Sequence, residues 1–216
     1  MKKYILLASA LFIGVFTSEA QEKSYNINFI NLESGINLSQ FDFSDSEITA
    51  FKNGSFSPSH HQALSLGFNL KGDLNLMLGA AYNKYQVIGK SIDMSSSHLS
   101  YDLNYVSASL GLEYSFPVKD KLSLLLNGNM AYNYLLSGFQ NMGSATYDLA
   151  DSDFEDNTYS LSVGTGLLYQ VTDATGIYLK YDWRNTMDMK EAEKANKSYK
   201  LTSYVYSVGV RFNLDN

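Results

Sequence analysis

The chain contains no cysteine, which excludes a disulfide framework and any Cys-ligated metal site. It has no basic run, and its net charge of −6 argues against a nucleic-acid partner. Nothing after Gln21 resembles a membrane-spanning helix, which needs about 20 apolar residues. Only two prolines occur, Pro58 and Pro117, and few stretches carry a helical period. What the chain has in quantity is tyrosine, with 17 copies, together with plentiful Asn and Ser. That composition suits many β-strands joined by polar loops.

The first residues read as an export signal. Lys2 and Lys3 precede an apolar stretch from Ile5 to Phe16, too short to span a bilayer. Ser18, Glu19 and Ala20 then set small residues at both recognition positions of a cleavage site. Cleavage after Ala20 is expected, leaving 21–216 as one domain and moving the charge from 16 − 22 = −6 to 14 − 21 = −7.

Eight segments alternate large apolar residues with small or polar ones, the period of a two-faced strand. They fall near 28–41, 61–70, 74–85, 105–116, 122–136, 159–170, 177–184 and 204–216. In the second, Leu64, Leu66, Phe68 and Leu70 oppose Ala63, Ser65, Gly67 and Asn69. In the seventh, Ile177, Leu179, Tyr181 and Trp183 oppose Tyr178, Lys180, Asp182 and Arg184. The connections at 71–73, 118–121 and 172–176 are tight, whereas those near 42–59, 88–101, 137–157 and 185–199 are long and polar. Strict alternation of long and short puts every long loop at one end of an antiparallel up-and-down array. The fold expected is therefore all-β: an eight-stranded transmembrane β-barrel with four long extracellular loops, three short periplasmic turns and both chain ends periplasmic.

A soluble barrel is the alternative, with the apolar residues pointing inwards. Two features favour the membrane. The polar face is built of Ser, Gly, Asn and Ala, which suit the crowded lumen of an eight-stranded cylinder. The charges within strands, Glu33, Glu113, Lys180, Asp182, Arg184 and Arg211, all share that face, three acids and three bases able to pair in a closed lumen. Aromatics gather at both strand ends: Tyr82, Tyr132, Tyr134, Tyr159, Trp183, Tyr204 and Tyr206 near the long loops, and Tyr114, Phe116, Tyr169 and Phe212 near the short turns. The lumen is expected not to conduct, because eight strands leave space only for side chains.

The patterns "LESGINLS", "LGLEYSFPV" and "SVGVRFNL" resemble the small outer-membrane barrels of Gram-negative bacteria, most of all the PorT-like barrel domain of Bacteroidetes. Tyr206, Val208, Val210 and Phe212 resemble the C-terminal insertion strand of such barrels, although Asn213, Leu214, Asp215 and Asn216 follow the aromatic residue. The resemblance implies contact with outer-membrane lipid, lipopolysaccharide and the barrel-insertion machinery, and an outer-membrane protein complex as a further partner. No functional residue carries over and no cofactor is expected.

Chemistry is sparse. His98 and Ser100 have the two-residue spacing of base and nucleophile in small lipid A deacylases, but Ser100 reads as part of a Ser-rich loop. Glu113 would lie on the same strand, roughly 43 Å away. His60 and His61 point to opposite faces and read as loop-edge residues. Asp148, Asp151, Asp153, Glu155 and Asp156 form a solvated acidic loop or, alternatively, oxygen ligands for a divalent cation. Lys190, Glu191, Glu193, Lys194 and Lys197 are spaced for a short surface helix or a partner-binding face. The expected role is a non-enzymatic membrane scaffold whose loops make contacts or assemble a complex. An accessory subunit of a secretion machine and a lipid A hydrolase are the alternatives.

Overall fold

Alternating side chains leave each segment only one way to satisfy its backbone without water: pairing on both edges in a closed cylinder. The computed structural model, which describes residues 27–43, 55–90, 98–142, 144–149, 157–186, 189–190 and 198–214, has this form. Ten strands follow one another: β1 (Ile27–Phe43), β2 (Ser55–Lys71), β3 (Leu74–Lys90), β4 (His98–Lys119), β5 (Leu122–Met142), β6 (Ala145–Asp148), β7 (Asn157–Thr172), β8 (Thr175–Thr186), β9 (Met189–Lys190) and β10 (Ser198–Asn213). Eight form the wall in the order β1-β2-β3-β4-β5-β7-β8-β10, antiparallel throughout, and β10 closes it against β1. β6 folds back on the end of β5, and β9 pairs two residues of β10. The tight turns are two residues long, at 72–73, 120–121 and 173–174. Gly72 takes a positive φ of 57°, which the missing Cβ permits.

The register fixes the size of the cylinder. From Ile30 the paired residues run through Leu66, Leu78, Leu110, Met130, Leu161, Asn185 and Thr202 and return to β1 at Gln40, a stagger of 40 − 30 = 10 residues. Eight strands with that stagger tilt by about 40° around a radius of about 8 Å. Each residue then climbs about 2.5 Å along the axis, and each step to the next strand raises the paired row by about 3 Å.

These increments place the aromatic residues. Tyr82, Tyr132, Tyr134, Tyr159 and Tyr204 lie about 16–23 Å above the level of Ile30, with Trp183 and Tyr206 slightly lower. Tyr114, Phe116, Tyr169 and Phe212 lie about 1–6 Å below it. The separation of about 20–25 Å matches the apolar band of an outer-membrane barrel. Between the belts the outward face is exposed Leu32, Ile36, Leu64, Leu78, Leu112, Met130, Leu167 and Val208. Charges are absent from this face among the described residues. In the upper belt rings touch across strands, with centroids 5.3 Å apart for Tyr132–Tyr159 and 5.1 Å for Tyr181–Tyr206; in the lower belt Tyr114 and Phe116, two residues apart on β4, have centroids 4.3 Å apart.

At the loop end the strands outrun the sequence reading. β3 continues to Lys90 and β4 begins at His98, where a loop over 88–101 is expected; β5 reaches Met142, and β6 falls inside the expected loop 137–157. The reason is an inversion of polarity above the upper belt. There the inward residues become apolar: Tyr85, Val87, Leu103, Tyr105, Leu135 and Leu201 form a buried cluster closed by Leu149, which follows β6. On β3 and β4 the outward residues become polar, with Lys84 and Asp102 paired at 2.9 Å and the Tyr82 hydroxyl donating to Asn104 Oδ1 at 2.8 Å, whereas Leu136 and Phe139 of β5 stay exposed. A collar built like a water-soluble barrel thus continues the membrane barrel. Leu136 is an extra residue in β5, since Leu135 faces Tyr105 and Ser137 faces Asn104; beyond this bulge Gly138 points in and Phe139 out.

Candidate functional site: a paired-charge lumen between two closures

Small residues on the inward face make room for long charged ones. At the turn end Arg211 projects from β10 across the lumen. Its Nη2 meets Glu113 Oε1 at 2.7 Å, its Nε donates to Asn31 Oδ1 at 2.9 Å, and its guanidinium lies 3.8 Å from the Phe29 ring centroid. Leu125, Leu168 and Tyr178 pack together at the same level. Gly209 is essential to this closure, because a Cβ there would overlap the Tyr178 ring. The guanidinium, its carboxylate and the rings close the lower lumen.

The middle layer is a second network. Glu33 Oε2 accepts from Lys180 Nζ at 2.7 Å and from the Tyr178 hydroxyl at 3.1 Å, while Oε1 lies 2.8 Å from His61 Nε2. Lys180 also reaches Asp182 at 3.4 Å, and Asp182 accepts from Asn127 at 2.6 Å. His61 Nδ1 meets Asn83 Oδ1 at 2.7 Å, and Arg184 Nη1 donates to that same oxygen at 2.7 Å and to Tyr85 at 3.1 Å. Asn83 passes the chain on through Ser107 to Asn133, which donates to Thr158 and Ser160. A cavity of about 80 Å³ lies among Glu33, His61, Asn129, Lys180, Asp182 and Arg184. It has room for a few waters. Above it stands the apolar core of the collar.

All six charged residues named from the sequence lie in the lumen. They divide into separate groups: Glu113 with Arg211, Glu33 with Lys180 and Asp182, and Arg184 held by Asn83 and Tyr85. Burying a charge is costly unless it is paired and hydrogen-bonded: five of the six lie in ion pairs, and Arg184 is hydrogen-bonded to the neutral Asn83 and Tyr85.

The sequence reading missed His61. It is no loop-edge residue: it sits within β2, buried, bridging Glu33 and Asn83, whereas His60 faces outward. Its parity with Ala63 and Ser65 was the available signal. Ser100 also differs from expectation, lying in β4 rather than in a loop, where its hydroxyl accepts from Asn141. Glu113 is thirteen residues along the same strand and is engaged by Arg211, so the His98, Ser100 and Glu113 set is not brought together.

Asp148 belongs to β6 and Lys190 to β9, a two-residue strand where a helix is one expectation. Asp151, Asp153, Glu155, Asp156, Glu191, Glu193, Lys194 and Lys197 lie outside the described residues. Among the described residues no cluster of three or more His, Asp or Glu is arranged for a metal. Tyr206, Val208 and Phe212 are exposed on the outward face of β10, and Val210 shares that face.

The wall is similar to those of known membrane barrels. Neisserial surface protein A superposes with a TM-score of 0.55 at 15% identity, covering 86% of this chain and 96% of that one. The outer membrane protein OprG of Pseudomonas aeruginosa gives 0.51 at 12% identity, covering 89% and 99%. At such identities the likeness speaks for the fold alone. No curated protein sequence matches the chain significantly. The family described as "Outer membrane protein beta-barrel domain" matches residues 19–183, most of the barrel. The closed eight-strand wall, its lipid-facing band and this match lead to one conclusion: the chain belongs to the outer membrane protein β-barrel domain family.

Proposed function

We propose that the protein is a non-conducting, non-enzymatic outer-membrane scaffold that holds its collar and long loops above the outer leaflet for surface contact or complex assembly. In this reading the first 20 residues are removed on export, both ends and the two-residue turns are periplasmic, and the collar is extracellular. The observation that carries it is the double closure of the lumen. Arg211, Glu113, Phe29 and Tyr178 fill the turn end, and the core of Tyr85, Leu103, Tyr105 and Leu201 fills the collar. A barrel sealed at both ends offers its exterior and its rim for use, not its lumen.

Planar-bilayer recording from refolded barrel tests this reading. No step conductance is expected, and a stable open channel would overturn it. Orientation is tested with single cysteines, which the Cys-free chain makes unambiguous. Lys200→Cys in the collar should react with an impermeant maleimide on intact cells, and Lys121→Cys in a turn only after permeabilisation. The reverse order would refute the topology.

A further inference from the structure

The hydrogen bonds of the middle layer fix how many protons it holds. His61 Nδ1 lies 2.7 Å from Asn83 Oδ1, and Nε2 lies 2.8 Å from Glu33 Oε1. The Asn83 amide has only one orientation. Its Oδ1 also meets Arg184 Nη1, which can only donate, and its Nδ2 donates to Ser107, whose own hydrogen goes to Asn133. His61 Nδ1 therefore carries a hydrogen. The contact between Nε2 and Glu33 needs a second one, on either atom, because two lone pairs would otherwise face each other. Wherever that proton sits, His61 and Glu33 together carry no net charge.

Three other ionised groups stand in this layer: Lys180, Asp182 and Arg184. Lys180 is matched by Asp182, and below them Arg211 is matched by Glu113. One positive charge is left over, and it falls to Arg184, whose partners Asn83 and Tyr85 are neutral. Both of those bonds leave from Nη1, so Nε and Nη2 have no partner among the described residues. An uncompensated cation between the two closures is costly. Arg184 lines the cavity of about 80 Å³. The register sets Ser162 beside Arg184 and Asn129 beside Ser162, in one row of the inward face. Both line the same cavity, and neither side chain has a hydrogen-bond partner among the described residues. Ala63, Gly79, Ala81 and Ala131 keep the space open.

We propose that this cavity is a binding site for one small monovalent anion of halide size, held by the Arg184 guanidinium with Asn129 and Ser162 as neutral donors. Charge and size select the occupant. The layer has a single positive charge in excess, which one monovalent anion cancels and a sulfate or phosphate dianion would overshoot. A water takes about 30 Å³ of liquid volume, so the cavity suits a small ion with a water or two and excludes larger organic anions. Water alone would satisfy the free donors and leave the charge. The ion enters as the barrel folds and then counts as part of the lumen, so the site requires no conduction and no particular orientation in the membrane.

Barrel refolded from urea in sodium bromide and crystallised in it tests this, because bromide scatters anomalously. One bromide peak is expected in the lumen, within hydrogen-bond reach of the Arg184 guanidinium. A cavity holding only water would overturn the site. Urea unfolding in vesicles, in sodium chloride or in sodium gluconate at equal ionic strength, gives the energetics, since gluconate is too large for the cavity. The folding equilibrium constant should rise by up to about tenfold for each tenfold of chloride. Arg184→Gln removes the excess charge and His61→Gln removes the extra proton, so both should lose this dependence and the bromide peak. Lys84→Gln, which removes an outward cation of the collar, should keep both. A heat-dependent gel shift shows which variants have folded, and either luminal variant suffices for the comparison. A chloride dependence equal in wild type and the luminal variants, or a bromide peak that persists in His61→Gln, would overturn the charge count and the proposal with it.

Discussion

Val208→Arg isolates the central physical claim, that the exposed apolar face meets hydrocarbon. Val208 is 51% exposed on β10 and lies about 7 Å above Ile30, close to midway between the belts. On a water-soluble surface the substitution would change stability by no more than about 0.5 kcal/mol. At the midplane of a bilayer an arginine on a barrel's outer face costs about 2–4 kcal/mol. That corresponds to a factor of about 30 to 900 in the folding equilibrium. Gln86→Arg provides the comparison. It lies on the outward side of the collar, about 26 Å above Ile30 and beyond the upper belt, and accepts a hydrogen bond from Ser57 at 3.2 Å, so its expected cost is that of the lost bond, about 0.5–1.5 kcal/mol. Urea unfolding of barrels in phospholipid vesicles measures both. Trp183, the single tryptophan, is 40% exposed on the lipid side, and its emission should shift to the red on unfolding. A Val208→Arg cost equal to that of Gln86→Arg would refute the assignment of solvents to faces.

Two further expectations concern the closures. Glu113 and Arg211 are 4% and 3% exposed, so Glu113→Gln should cost about 3–5 kcal/mol by leaving the guanidinium uncompensated. The double replacement Glu113→Leu with Arg211→Met should cost clearly less, and unfolding of both in the same vesicles decides the point. Leu103→Ala, in the collar core at 0% exposure, should cost about 2–5 kcal/mol and raise proteolysis at the loop end. Bilayer recordings of it should stay silent because Arg211 still closes the turn end; a channel in that variant would place the whole seal in the collar.

The membrane half of the barrel was legible because one rule holds through it. From Leu74 to Tyr82 the even residues are apolar and the odd ones, Met77 apart, small or polar, and the register carries that parity from strand to strand. The collar escaped because the rule reverses there. At Lys84 the even face of β3 turns polar while Tyr85 and Val87 turn inward, so a search for one continuous oily face sees a strand end where the backbone pairing continues. His61 escaped for a related reason, since it lies just above the last outward leucine of β2, at the edge of the pattern. The partition of the charges was not legible either. Arg211 reaches Glu113 and Asn31 from 98 and 180 residues away in sequence, and only the ten-residue stagger brings those positions to one level. The short terminal patterns point to a barrel fold and carry no role, because function resides in sites rather than folds.

A nitroxide scan along β3, from Leu76 to Val87, tests the account most directly. In phospholipid vesicles, labels at 76, 78, 80 and 82 should be accessible to oxygen and shielded from a nickel chelate. At 84 and 86 the preference should switch to the chelate, while labels at 85 and 87 should be shielded from both. A scan in which the even positions below Tyr82 favour the chelate, or in which no switch occurs between 82 and 84, would contradict it.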